Sequence, residues 1–100
     1  MQVLDLDISI VVNNVGLDCI ESFDKQDPQS IENLLKVNCF PVAFFNRLFI
    51  PMMLKRLEAK KTKSAIINVA SIAGMIPMPY YNIYSASKAY VDNLSRSLAY

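Results

Sequence analysis

The sequence predicts an α/β fold: the middle part of a doubly wound parallel sheet, with two strands and two main helices. Three observations predict it. Two short β-branched apolar runs occur, ISIVV at residues 8–12 and AIINV at 65–69. A long helical pattern separates them, and a second helical pattern follows the later run. Strands separated by a long helix pair in parallel through a crossover, whereas antiparallel strands need only a tight turn. Two parallel strands are too few for a stable sheet. The segment therefore reads as the middle of a larger sheet.

The first run ends in Asn13, Asn14, Val15 and Gly16, a cluster of turn formers. An uninterrupted apolar strand of this kind is expected to be buried on both faces. Residues 17–26 are mixed and polar and read as a loop. Asp27-Pro28 is a helix start, because aspartate caps and proline fits the first helical position. Ile31, Leu34, Leu35 and Asn38 then recur at helical spacing, continued by Val42, Phe45, Phe49 and Met53. Pro41 has no N–H to give to Val37, so a kink is expected there. Pro51 is expected to act likewise or to begin a second segment. Lys55, Arg56, Lys60, Lys61 and Lys63 follow, a solvated C-terminus that suits the helix dipole.

The second run is followed by Ser71, Ile72, Ala73 and Gly74. Pro77 and Pro79 make residues 75–83 a loop. Residues 84–100 read as a helix, with Ala86, Ala89 or Tyr90, Leu94 and Leu98 as its apolar stripe.

Composition narrows the function classes. One hundred residues allow one domain at most, with a marginal core. A net charge of +1 gives no footprint for nucleic acid. Two cysteines without metal-like spacing, and no histidine, argue against a zinc site. Residues 37–54 are apolar, but Asn38, Asn46, Arg47 and two prolines interrupt them, so a buried helix is expected rather than a span of about 20 apolar residues. The chain has 2 glycines where average usage gives roughly seven. That scarcity suggests that a glycine-rich part of the domain lies outside these residues.

The chemistry is concentrated in YNIYSASKAY, residues 81–90. Tyr84 and Lys88 stand at i and i+4 and share one helix face. A free phenol has a pKa of about 10. An adjacent ammonium favours the phenolate, and such a pair can exchange a proton near neutral pH. Tyr-x-x-x-Lys alone arises easily by chance. Here it is accompanied by Ser71 at the carboxyl end of the second strand and by Asn13–Gly16 at the same edge. In open parallel sheets, ligands bind outside the carboxyl ends of the strands.

Four elements together resemble the short-chain dehydrogenase/reductase family: NNVG after the first strand, LLKVN in the long helix, INVAS before Gly74, and YSASK. Their order and spacing match through essentially the whole chain. Val15 replaces the usual alanine of NNAG, and Ala70 stands where many members have serine. The resemblance implies a partial NAD(P)-binding Rossmann-type domain over residues 1–100, lacking its N-terminal glycine-rich part and its C-terminal substrate part. It implies a catalytic tetrad of Tyr84, Lys88, Ser71 and Asn38. Tyr84 would be the acid/base, and Lys88 would support its phenolate and bind the nicotinamide ribose. Ser71 would orient the substrate oxygen. The Asn38 backbone carbonyl would hold a water. Asn13, Asn14, Val15 and Gly16 would form the adenosine-side wall and brace the sheet, and with Tyr84 and Lys88 they would be the cofactor-binding residues.

NNVG and GMIPMPYYNIYSASKAYVD, residues 13–16 and 74–92, are similar to the 17β-hydroxysteroid dehydrogenase / very-long-chain 3-oxoacyl-CoA reductase branch. The implied substrate is a small-molecule carbonyl or alcohol, a 3-oxoacyl thioester or a steroid. The implied cofactor is NADP, with NAD as the other option, bound only when the missing N-terminal region is supplied. The resemblance also implies a homodimer through the long helices, in the cytoplasm or associated with the endoplasmic reticulum membrane. The rival expectation is a non-catalytic remnant or interaction module of the same fold.

Overall fold

Asp27 starts the first helix as the sequence requires. Its carboxylate accepts the Ser30 N–H at 3.1 Å, and Pro28 occupies the first turn, where no N–H is needed. In the computed structural model, which describes residues 3–99, the order is β1 (Ile10–Asn13), α1 (Pro28–Asn38), α2 (Phe40–Lys60), β2 (Ala65–Asn68) and α3 (Asn82–Leu98). Short 3-10 turns lie at Val3–Asp5, Phe23–Lys25 and Ile72–Gly74.

The two strands pair in parallel, with Ile10 opposite Ala65 and Asn13 opposite Asn68. Each starts or ends a residue or two from its sequence-expected bounds. Side chains alternate as the pleat dictates. Val11, Asn13, Ile66 and Asn68 are half-buried, whereas Ile10, Val12, Ala65 and Ile67 are exposed. The expectation of burial on both faces is thus corrected to one. Within these residues, α2 and α3 cover only one side of the sheet. The result is a slab 53 × 30 × 14 Å across. Its radius of gyration is 16.0 Å, against about 13 Å for a compact chain of this length.

The long helix breaks at Cys39 (φ −106°, ψ −52°), which separates α1 from α2. Pro41 does not sit inside a kinked helix. It lies in the first turn of α2, where its missing N–H costs nothing. Across the junction, Cys39 N–H donates to Leu35 O and Ala43 N–H to Cys39 O. Pro51, by contrast, is carried within α2.

α2 buries Val42, Asn46 and Phe49 on its inner face. Phe45, expected in the core, is exposed instead, together with Phe40, Phe44 and Leu48. The residues of α1 and α2, Pro28–Lys60, have the length and hydropathy of a membrane-crossing helix, but only 28% of the apolar window is buried. Its expected burial therefore holds for one stripe. The helix ends at Lys61 in the left-handed region, φ 58°. Arg56 and Lys60 of its last turns pair with Asp7 at 3.0 and 2.8 Å.

In α3 the inward face differs from the expected stripe. Ser85, Ser87, Lys88 and Val91 are buried, whereas Ala86, Ala89, Tyr90 and Leu98 are exposed. Counting apolar periodicity selects the wrong face because the inward residues are polar groups with partners.

Candidate active site

β1 and β2 end side by side, so the loops that follow them open onto one edge. A cleft of about 420 Å³ lies there, lined by Asn14, Gly16, Leu17, Asp18, Val69, Ala70, Tyr84 and Lys88. α3 enters the cleft with Tyr84 and Lys88 on one face, as their spacing demands. Lys88 is 5% exposed, and its ammonium lies 5.8 Å from the centre of the Tyr84 ring. Burying a charge is costly unless it is satisfied. Among the described residues, the one protein acceptor for Lys88 Nζ is the Val69 carbonyl, at 3.3 Å. An ammonium has three donors. The remaining ones lie at the cleft.

Gly16 borders that ammonium. A Cβ there would come within 3.3 Å of Lys88 Nζ and 3.5 Å of Asn38 Oδ1. The missing side chain keeps the space beside the lysine open. A ligand bearing hydroxyls fits this donor set.

Asn38 does not line the cleft; it supports it from below. Its side chain is 1% exposed. Oδ1 accepts the Leu17 N–H at 2.7 Å, and Nδ2 donates to the Leu17 carbonyl at 2.8 Å and to Ser87 Oγ at 3.0 Å. Ser87 in turn donates to the Tyr84 carbonyl at 2.7 Å. One amide thus ties the loop after β1 to the turn of α3 between Tyr84 and Lys88.

Ser71 stands next to the cleft, one residue beyond Ala70, and caps the Ile72–Gly74 turn. Its Oγ accepts the Ala73 N–H at 3.1 Å, which leaves its own proton free to donate. Gly74 lies against α3 so closely that a Cβ would come within 2.6 Å of the Lys88 carbonyl carbon.

Of the Asn13–Gly16 group, Asn14 and Gly16 line the cleft. Val15 is 76% exposed outside it. Asn13 turns to the helical side and donates to Asn68 Oδ1 at 2.8 Å. Asn46 donates to the same oxygen at 2.9 Å, and Asn68 Nδ2 reaches Ser95 Oγ at 3.3 Å.

The resemblance implied that Asn13 braces the sheet, but sequence reasoning missed its partners Asn68 and Asn46, and it missed Ser85 and Ser87. The available signal was polar residues in strand and helix interiors. Serine is a poor interior helix former unless its hydroxyl finds a partner. A second cleft, about 470 Å³ between α2, β2 and α3, is lined mainly by apolar residues such as Ile50, Leu57 and Leu98. The paired phenol and ammonium of Tyr84 and Lys88 lie at the other cleft. No cluster of metal-ligating side chains occurs among the described residues.

Residues 3–100 match the family profile described as short chain dehydrogenase. The very-long-chain 3-oxoacyl-CoA reductase of Bos taurus is 41% identical over 97 residues, covering 93% of this chain and 30% of that protein. Among solved structures, the 3-ketoacyl-(acyl-carrier-protein) reductase of Brucella melitensis, complexed with NADH, superposes with a TM-score of 0.80. It is 32% identical and covers 91% of this chain and 38% of its own. The gluconate 5-dehydrogenase of Burkholderia cenocepacia, in complex with NADP and tartrate, gives a TM-score of 0.82 at 26% identity. The match covers 92% of this chain and 34% of that one. The chain spans about 30% of the length of the curated relatives it matches.

Proposed function

Because the chain belongs to the short-chain dehydrogenase family, we propose that it carries the proton-handling half of an NAD(P)(H)-dependent oxidoreductase site. In this reading residues 1–100 are the middle of a Rossmann-type domain, and a longer protein supplies the glycine-rich phosphate loop and the substrate part. The exposed Ile10, Val12 and Ile67 of the sheet support that reading, since such a face needs a cover. The reaction is interconversion of a ketone and a secondary alcohol. By likeness to the reductase relatives the substrate is a 3-oxoacyl thioester, with a steroid as the other member of that branch, and the cofactor is NADPH.

The single observation that carries the proposal is the buried Lys88 ammonium beside Tyr84, with one protein acceptor among the described residues and an open cleft before it. A bound nicotinamide supplies the hydride chemistry; the protein supplies placement and protons. Lys88, with Gly16 and Asn14, would hold the ribose. Tyr84 Oη gives its proton to the carbonyl oxygen during reduction and takes it back in the reverse direction. Ser71 donates its free O–H to the same oxygen and fixes its position. The Asn38 backbone carbonyl would hold a water that links Lys88 to solvent and so returns the proton. The intact protein is proposed to dimerise through its long helices and to lie in the cytoplasm or at the endoplasmic reticulum membrane.

The exposed apolar face of α2, Phe40, Phe44, Phe45 and Leu48, favours a second reading: a non-catalytic interaction module. Two measurements separate the readings. The full-length protein should consume NADPH when given a 3-oxoacyl-CoA, and absence of turnover with NADPH and NADH alike would remove the enzymatic reading. Clear micromolar binding of NADPH by the isolated 100-residue chain would remove the interaction-module reading; none is expected, because the phosphate loop is absent from it.

A further inference from the structure

Between Tyr84 and Lys88 the chain reads Ser85-Ala86-Ser87. Ser85 neither touches the cleft nor belongs to the tetrad, yet it is 8% exposed. Its hydroxyl donates to the Ala73 carbonyl and lies 3.0 Å from the Ile76 carbonyl. Ala73 is itself buried, and its N–H is the donor that holds Ser71 Oγ. Three links therefore run in series: Ser71 Oγ to the N–H of Ala73, the Ala73 residue itself, and the Ala73 carbonyl to Ser85 Oγ. Ser85 is covalently next to Tyr84. The close approach of Gly74 to the backbone of Lys88 and Ala89 pins the far side of the same turn.

The geometry points to Ser85 as a positioning residue that fixes the Ser71 hydroxyl relative to the Tyr84 phenol. The inference rests on the proposed oxidoreductase reading. Both hydroxyls must address one substrate oxygen, and they come from different elements. The Ile72–Gly74 turn is short and Ile72 is exposed, so its seat on α3 rests on Ala73 and on the close approach of Gly74. Without the Ser85 hydroxyl, the Ala73 carbonyl loses a buried donor. The turn can then shift against α3, and Ser71 shifts with it. Lys88 keeps its contact with Val69, so cofactor binding is spared.

The test is a double-mutant cycle in the full-length protein with NADPH and a 3-oxoacyl-CoA, using Ser71→Ala, Ser85→Ala and the pair. Ser85→Ala should lower kcat about ten- to a hundredfold, the scale of a displacement of an ångström or less, with KM for NADPH unchanged. In the Ser71→Ala background the same change should cost less than about twofold, because nothing remains to position. Ser85→Thr, which retains the hydroxyl, should recover most of kcat. Ser85→Cys keeps the volume with a weak donor, and it serves in the cycle if Ser85→Ala does not fold. Multiplicative losses in the double variant, or unchanged kcat in Ser85→Ala, overturn the inference while leaving the oxidoreductase reading intact. Full activity of Ser71→Ala overturns the proposed role of Ser71, and the inference falls with it.

Discussion

Gly74→Ala adds one methyl group where the Ile72–Gly74 turn meets α3. The new Cβ would lie 2.6 Å from the Lys88 carbonyl carbon, 2.7 Å from Ala89 N and 2.8 Å from Lys88 O. Ordinary contact begins at 3.4 Å, so the nearest approach is short by about 0.8 Å. All three obstacles are helix backbone, which no rotamer change can move aside. Two effects oppose each other. Alanine narrows the unfolded ensemble and stabilises by about 0.4–1 kcal/mol where the native backbone suits it, and Gly74 is outside the left-handed region. Overpacking against a rigid neighbour costs about 1–3 kcal/mol. The overlap wins, for a net loss of about 1–2 kcal/mol. Relief comes only by moving the turn off α3, which carries Ser71 away from Tyr84; a displacement of that size costs up to about a hundredfold in kcat. Urea denaturation and steady-state rates of the full-length protein measure both effects. Met75→Ala, at a residue 70% exposed next to it, is the control and should change neither. A Gly74→Ala protein with unchanged midpoint and rate would refute the close-contact argument.

Asn38→Ala removes three hydrogen bonds from a fully buried amide. It should destabilise by about 1–3 kcal/mol and speed hydrogen exchange at the Leu17 amide; unchanged exchange would show that the loop is held by something else. Burial pushes the Cys39 thiol up from its usual value, with the Lys88 ammonium acting in the opposite sense. Folding thus favours the protonated thiol, so this contribution to stability is complete below the ordinary thiol range and is lost as pH rises from that range through the raised folded value. A thiol reagent under native conditions should modify the half-buried Cys19 first and reach Cys39 only on unfolding; equal rates would contradict the placement. Hydrogen bonds from Lys60 and Arg56 hold the Asp7 carboxyl below its ordinary range. The tie between Asp7 and α2 should therefore weaken as pH falls below that range, and Asp7→Asn should remove this acid limb from the denaturation curve.

The sequence made the strand–helix–strand–helix order legible because β-branched runs and helical periodicity are local signals. The Asp27-Pro28 start is equally local, and it stands where the sequence puts it. The break at Cys39 was anticipated from Pro41, but its position was not. A proline is tolerated in a first turn, so the chain restarts the helix just before it. The buried face of α3 was not legible. Ser85, Ser87 and Lys88 face inward because partners on other elements satisfy them, and those partners are remote in sequence. The same holds for Asn46 and Asn68, whose bonds span more than twenty residues. The pairing of Tyr84 with Lys88 was readable from spacing alone. The cleft in front of them, and the role of Gly16 in keeping it open, needed the fold.

The most direct test of the oxidoreductase account is Tyr84→Phe in the full-length protein, assayed with NADPH and a 3-oxoacyl-CoA beside a measurement of NADPH affinity. The phenylalanine keeps the ring over which Lys88 lies and removes only the hydroxyl. The account predicts that kcat falls by about a hundredfold to ten-thousandfold, the usual contribution of a positioned acid or base, while NADPH binds nearly as before. Turnover at the wild-type rate would contradict it.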